Sequence, residues 1–145
     1  MYEHPLRAVM DRRKLVKCAP TTTVAEAARR MAEVGIGAVL VLEAGHLVGI
    51  FTERDAVFRV IARGRPVDTT PLAEVMTAPP LTLGPEARFG TALALMHKHG
   101  FRHVPVVDEG KLVGMVMARQ ALDPELEDFV VEARRRQHFD PAKEH

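Results

Sequence analysis

The sequence predicts an α/β protein of the α+β type: two copies of a β-α-β-β-α unit, packed through their sheets with pseudo-twofold symmetry. Three observations predict it. A string of residues recurs at constant spacing, so the chain contains an internal repeat. Each copy holds one helix-periodic stretch, then two strand-sized apolar runs around a turn. One copy, at about 60 residues, would bury too little surface to be comfortably stable alone. The recurring residues are Ala27, Met31, Gly35, Val39, Val41, Gly45, Leu47, Val48, Gly49 and Arg54. They return as Ala92, Met96, Gly100, Val104, Val106, Gly110, Leu112, Val113, Gly114 and Arg119, each 65 positions later. Pro20 and Pro85 keep the offset, and Val9-Met10 and Val75-Met76 slip it by one.

The elements follow in order. In the first copy (6–62), Val24, Ala27, Ala28, Met31 and Val34 fall at helical spacing with charges on the other face, and Gly35 is a C-terminal stop. Ala38 to Leu42 is a continuous apolar run, the pattern of a strand buried on both faces. Glu43 to His46 supplies a turn, and Leu47 to Phe51 the partner strand. Thr52 opens a second helix that runs to about Ala62. Gly64, Pro66 and Pro71 mark a linker over 63–71.

The second copy (72–122) repeats the order. Phe89 to His99 is its helix, and His103 to Val107 and Lys111 to Val116 are its strands, around Asp108-Glu109-Gly110. Ala118 begins its last helix. Asp123-Pro124 restarts a helical tail (123–145), striped by Leu126, Phe129, Val130 and Ala133. Such a tail would cap the module or mediate dimerisation. The clefts between the two copies are where function is expected.

Composition narrows the classes. In 145 residues, 20 basic against 19 acidic side chains leave a formal charge of +1, which gives no global pull toward nucleic acid or an anionic membrane. The basic clusters Arg12-Arg13-Lys14 and Arg134 to Arg136 have no interleaved aromatics and read as solvated faces. No apolar run approaches the roughly 20 residues of a spanning helix, and Met1 to Pro5 lacks a signal-type apolar region. One cysteine, Cys18, excludes an internal disulfide and makes a reducing cytoplasm the expected setting.

Neither metal nor catalysis is expected. His97, His99 and His103 invite a metal reading, but His97 and His99 lie about 200° apart on a helix and cannot share a metal without distortion. Gly35-x-Gly37 precedes a strand and lacks the third glycine of a dinucleotide fingerprint. No nucleophile is paired with a base, so no enzyme activity is expected.

Val9-Met10 and Val75-Met76, G-F-R-H-V-P-V-V-D (Gly100 to Asp108), L-V-G-I-F-T-E-R-D (Leu47 to Asp55) and L-V-G-M-V-M-A-R-Q (Leu112 to Gln120) together resemble the tandem CBS (cystathionine-β-synthase) domain, or Bateman module. The resemblance covers about Leu6 to Leu122. It implies a module that binds an adenosine-containing regulatory ligand: AMP, ADP, ATP or S-adenosylmethionine, sometimes a cyclic or linked dinucleotide. It also implies a ribose-binding signature, Gly-x-x-Thr/Ser-x-x-Asp, which stands here as Gly49, Thr52 and Asp55.

The chemistry of those residues agrees. Thr52 falls at a strand-to-helix junction, and Asp55 can accept from two vicinal ribose hydroxyls. The same T-x-x-D spacing is also that of a capping box, and the two readings are compatible. Carried over from the resemblance, Pro80, Leu81, Phe101 and Pro105 would wall the adenine, with Ile50 beneath. Arg102 and His103 resemble, in swapped order, the basic pair that meets phosphates in a kinase regulatory gamma subunit of this family. Arg54 is a further phosphate candidate, although Arg102 and His103 also suit a solvated strand edge.

The second copy departs from the signature, with Met117 for threonine and Gln120 for aspartate. Its opposite wall, around Val16, Ile36 and Gly37, carries no basic pair. One competent site and one weak site are therefore expected. The leading expectation is a nucleotide sensor without a required cofactor, acting as a homodimer or on an enzyme or transporter in another chain. The alternative is a homodimerisation module that binds no nucleotide.

Overall fold

The computed structural model describes residues 2–122; the helical tail expected over 123–145 lies outside the described residues. In chain order the elements are α1 (Leu6–Val9), β1 (Lys17–Cys18), α2 (Val24–Val34), β2 (Ala38–Glu43), β3 (His46–Thr52) and α3 (Glu53–Asp55), which continues as a π-helical stretch over Ala56–Ile61. Then come α4 (Leu72–Val75), α5 (Phe89–His99), β4 (His103–Asp108), β5 (Lys111–Met117) and a 3-10 turn (Ala118–Leu122).

Helix α2 begins where Thr23 Oγ1 accepts the Glu26 amide at 3.3 Å, and it ends at Gly35. It buries Val24, Ala27 and Met31, while Ala28 and Val34 are exposed, so its apolar stripe is narrower than the spacing suggests. Helix α5 buries the repeat-related Ala92 and Met96 together with Phe89, and it ends at Gly100. Strand β2 lies in the middle of a three-stranded sheet, parallel to β1 and antiparallel to β3, with Ala38, Val39, Leu40 and Val41 fully buried. Both hairpins turn on two residues with positive φ, Ala44-Gly45 and Glu109-Gly110, a twist that matches the strands they join.

The second sheet is reduced to β4 and β5. Leu83 forms a single parallel bridge to Val106 where Cys18 pairs with Val41 in the first copy. The cause is Pro105. Its counterpart Leu40 donates its amide to Val16 O at 2.8 Å, and proline has no amide to donate.

Each copy lends its leading segment to the other in a way the sequence does not announce. Asp11 pairs with Met115 of β5, through amide-to-carbonyl bonds of 2.8 and 3.0 Å. Thr77 pairs with Ile50 of β3 through bonds of 2.8 and 3.0 Å. Leu6 and Val9 of α1 accordingly belong to the core around Phe89 and Met96, and Leu72 and Val75 of α4 to the core around Phe51 and Val39. Met10 and Met76 lie over Gly114 and Gly49, where a Cβ would come within 2.8 Å and 2.5 Å of their sulfurs. Strand β5 also places Met115 and Met117 in the first copy's core, so the two copies share one interior.

Candidate functional site

The site forms where β3 runs into α3, opposite the entry to β4. Thr52 is extended (φ −120°, ψ 169°) and caps α3: its Oγ1 accepts the Asp55 amide at 3.3 Å while Asp55 Oδ2 accepts the Thr52 amide at 3.0 Å. That reciprocal pair is a capping box. The Asp55 carboxylate also accepts from Thr77 Oγ1 at 3.2 Å and lies 3.4 Å from Arg59 Nε. Asp55 is buried, with 5% of its surface exposed, yet it lines a cavity. Its oxygens are thus held in place by the protein and still face open volume.

Two adjoining cavities open there. The first, about 390 Å³, is lined by Ile50, Thr52, Arg54, Asp55, Phe58, Arg59, Thr77, Pro79, Leu81, His99, Gly100, Phe101 and His103. One wall is flat: the His99 and Phe101 rings stack with centroids 5.4 Å apart and 13° between planes. The second, about 380 Å³, is lined by Gly37, Thr52, Glu53, Arg54, Phe58, Gly100, Phe101, Arg102, His103, Met117 and Arg119. Each lies in the size range of small-molecule sites. Between them Arg54 spans the two copies, donating to Gly100 O at 3.1 Å and lying over the Phe58 ring at 5.2 Å.

The electrostatics of the second cavity are positive. Burial, then Arg119 and Arg102, push the His103 imidazole down to about 4 from its usual 6.5. His103 is therefore neutral at pH 7, able to donate through one ring nitrogen and accept through the other.

Of the residues singled out from the sequence, Ile50, Thr52, Arg54, Asp55, Leu81, Phe101 and His103 line the first cavity, and Arg102 lines the second. Pro80 and Pro105 line neither; Pro105 is buried within β4, and Pro79 stands where Pro80 was expected. The residues assigned to a weaker second site are dispersed. Gly37 and Met117 line the second cavity, whereas Val16 and Ile36 are core residues, 1% and 5% exposed. Gln120 is buried and spent on the protein itself, its Oε1 accepting the Met117 amide and its Nε2 donating to Val9 O, both at 2.7 Å.

Sequence reasoning missed Phe58, Arg59, Thr77, His99 and Arg119 as site residues. Arg119 had a usable signal, because it is the repeat counterpart of Arg54. Thr77 had another, since it directly follows the second Val-Met pair. Among the described residues no group of three or more His, Cys, Asp or Glu could hold a metal ion. No helix among them is long and apolar enough to cross a membrane.

Comparison with known proteins agrees with this architecture. The family model for the CBS domain matches residues 6–62 and again residues 72–124. The chain is 36% identical over 116 residues to uncharacterized protein MK0525 of Methanopyrus kandleri, covering 79% of this chain and 59% of that one. It is 39% identical over 97 residues to the CBS domain-containing protein YhcV of Bacillus subtilis, covering 67% and 69%. The chain therefore spans less than two thirds of the archaeal relative's length. A crystal structure of a conserved protein from Pyrococcus horikoshii superposes with a TM-score of 0.74 at 31% identity, over 93% of this chain and 95% of that one. Proteins built on CBS pairs are typically regulatory rather than catalytic. With the family's domain matched twice, in tandem, along most of its length, this chain belongs to the CBS-domain family.

Proposed function

We propose that the chain is a regulatory module that binds an adenosine-containing ligand (AMP, ADP, ATP or S-adenosylmethionine) between its two copies and responds by changing shape or association. The observation that carries this reading is the convergence of Thr52, Arg54 and Asp55 from the first copy with Phe101, Arg102 and His103 from the second on adjoining cavities.

The chemistry suits the parts. The Asp55 carboxylate takes a vicinal diol by exchanging its hydroxyl donor Thr77 for ribose hydroxyls. The stacked His99–Phe101 wall and Leu81 offer the apolar faces an adenine needs. The arginines meet phosphate oxygens with a fork of fixed geometry. No cofactor is required for this role, and it fits a cytoplasmic protein acting on an enzyme or transporter in another chain.

Thermal unfolding with and without each ligand tests it. Ligand at 100 times its dissociation constant adds about 2.7 kcal/mol. The wild type is expected to shift with at least one of AMP, ADP, ATP and S-adenosylmethionine, and Asp55→Asn to lose most of the shift. Absence of any shift in the wild type overturns the reading. Added ATP is expected to stay unhydrolysed.

A specific observation favours a second activity, homodimerisation. Val57 and Ile61 are 48% and 68% exposed on the π-helical stretch, beside Phe58, whose ring Arg54 partly covers. Ile61→Glu is expected to lower the dimer fraction measured by analytical ultracentrifugation.

A further inference from the structure

Each copy ties down the leading segment that the other lends it, and does so with the residue at the same repeat position. In the second copy that residue is Gln120. It is buried and lines neither cavity, and its Nε2 donates to Val9 O at 2.7 Å. In the first copy it is Asp55, which reaches the matching segment through a side chain, accepting from Thr77 Oγ1 at 3.2 Å. Arg59 closes a triangle. Its Nε lies 3.4 Å from Asp55 Oδ1, and another of its nitrogens donates to Met76 O at 2.9 Å.

The two ties differ in what can undo them. A buried amide bonded to a backbone carbonyl, away from either cavity, meets no competitor. Asp55, Thr77 and Arg59 all line one cavity. A carboxylate only accepts, so an incoming hydroxyl competes with Thr77 for the same oxygen lone pairs. Hydrogen bonds to a charged group are the stronger kind, so losing this one matters. Without it, Thr77 is held on β3 by the two backbone bonds of one isolated bridge to Ile50. Pro79, two residues on, lines the same cavity.

We propose that Asp55, Thr77 and Arg59 form a releasable catch: a ligand diol that takes the Asp55 carboxylate loosens residues 76–79 from β3, while Gln120 keeps residues 9–11 fixed on β5. The inference rests on the adenosine reading above and adds the route by which the module responds. The response is one-sided, because only one of the two repeat-related ties faces open volume. Binding and loosening are reciprocal, so whatever weakens the catch strengthens the hold on the diol.

Amide hydrogen exchange of the full chain, read by NMR with and without AMP, ADP, ATP or S-adenosylmethionine, tests it. With a compound that binds, the Thr77 and Ile50 amides are expected to exchange at least about fivefold faster, and the Asp11 and Met115 amides to stay within about twofold. Thr77→Val is expected to show the same acceleration with nothing added, and to bind that compound at least about threefold more tightly by calorimetry. Thr77→Ser, which keeps the hydroxyl, is expected to match the wild type in both. Unchanged or slower exchange at Thr77 and Ile50 in a wild type that binds overturns the catch and leaves the adenosine reading standing. So does acceleration at Asp11 and Met115 as well, or binding by Thr77→Val that is no tighter than the wild type's. Binding of none of the four compounds overturns both.

Discussion

At His103 burial, with Arg119 and then Arg102 beside it, holds the imidazole neutral down to about pH 4. The unfolded chain would protonate the same ring near 6.5. Between those values the unfolded state binds the extra proton, so this group withdraws stability as pH falls from about 6.5 to about 4. His103→Gln is therefore expected to flatten the acid side of the stability profile, read as urea midpoints from pH 7 to pH 4. Parallel profiles for the two proteins would show that the ring is as free to protonate when folded as when unfolded. A ligand phosphate bound beside His103 would reverse the balance by drawing the ring upward, so ATP is expected to bind more tightly at pH 5 than at pH 7. The same residue scale separates the two ends of the repeat. Asp55 spends its carboxylate on a helix cap but remains at a cavity wall. Gln120 makes the corresponding bond to Met117 and closes its remaining reach on the Val9 carbonyl.

The elements are locked by close approach. A Cβ at Gly49 would press on the Met76 side chain alone, which can swing aside. At Gly114 it would meet Met10 and also the Asp11 carbonyl oxygen at 3.0 Å, which belongs to a hydrogen-bonded backbone. Gly114→Ala is accordingly expected to cost about 1–3 kcal/mol and Gly49→Ala less, measured by equilibrium unfolding in urea. A larger loss at Gly49 would refute this ordering. The helices and strands around these glycines were legible in the sequence, because amphipathic spacing and the repeat reinforce each other at α2, α5, β2 and β4. The π-helical stretch was not. Its 56–61 register carries ordinary helical spacing, and nothing in that spacing marks the widened turn in which Ala62 donates to Val57 O. The choice of Pro79 over Pro80 was not legible either, because adjacent prolines carry the same chemistry and only the fold sets which of them lines the cavity.

In the whole molecule the pseudo-symmetry is broken at the walls of the Asp55 cavity. The counterparts of Leu81, Phe101 and His103 are Val16, Ile36 and Ala38, which lie in the core at 1%, 5% and 0% exposure. Room for a second nucleoside is thus filled by the protein's own side chains. One ligand per chain is expected by titration calorimetry, and two equivalent sites would contradict this packing. The signature residues Thr52 and Asp55 were readable because chemistry and spacing coincide there. The second cavity was not, because it exists only once β3 and β5 face each other across the interior.

The exchange of leading segments also bears on how the chain is assembled. Residues 6–11 find all these partners far along the chain, Arg7 at Pro85, Leu6 at Ala87 and Asp11 at Met115. Contacts so distant in sequence close late and slowly. Segment 6–11 is therefore expected to dock late, and the interior shared by the two copies to close only when it meets β5 and α5.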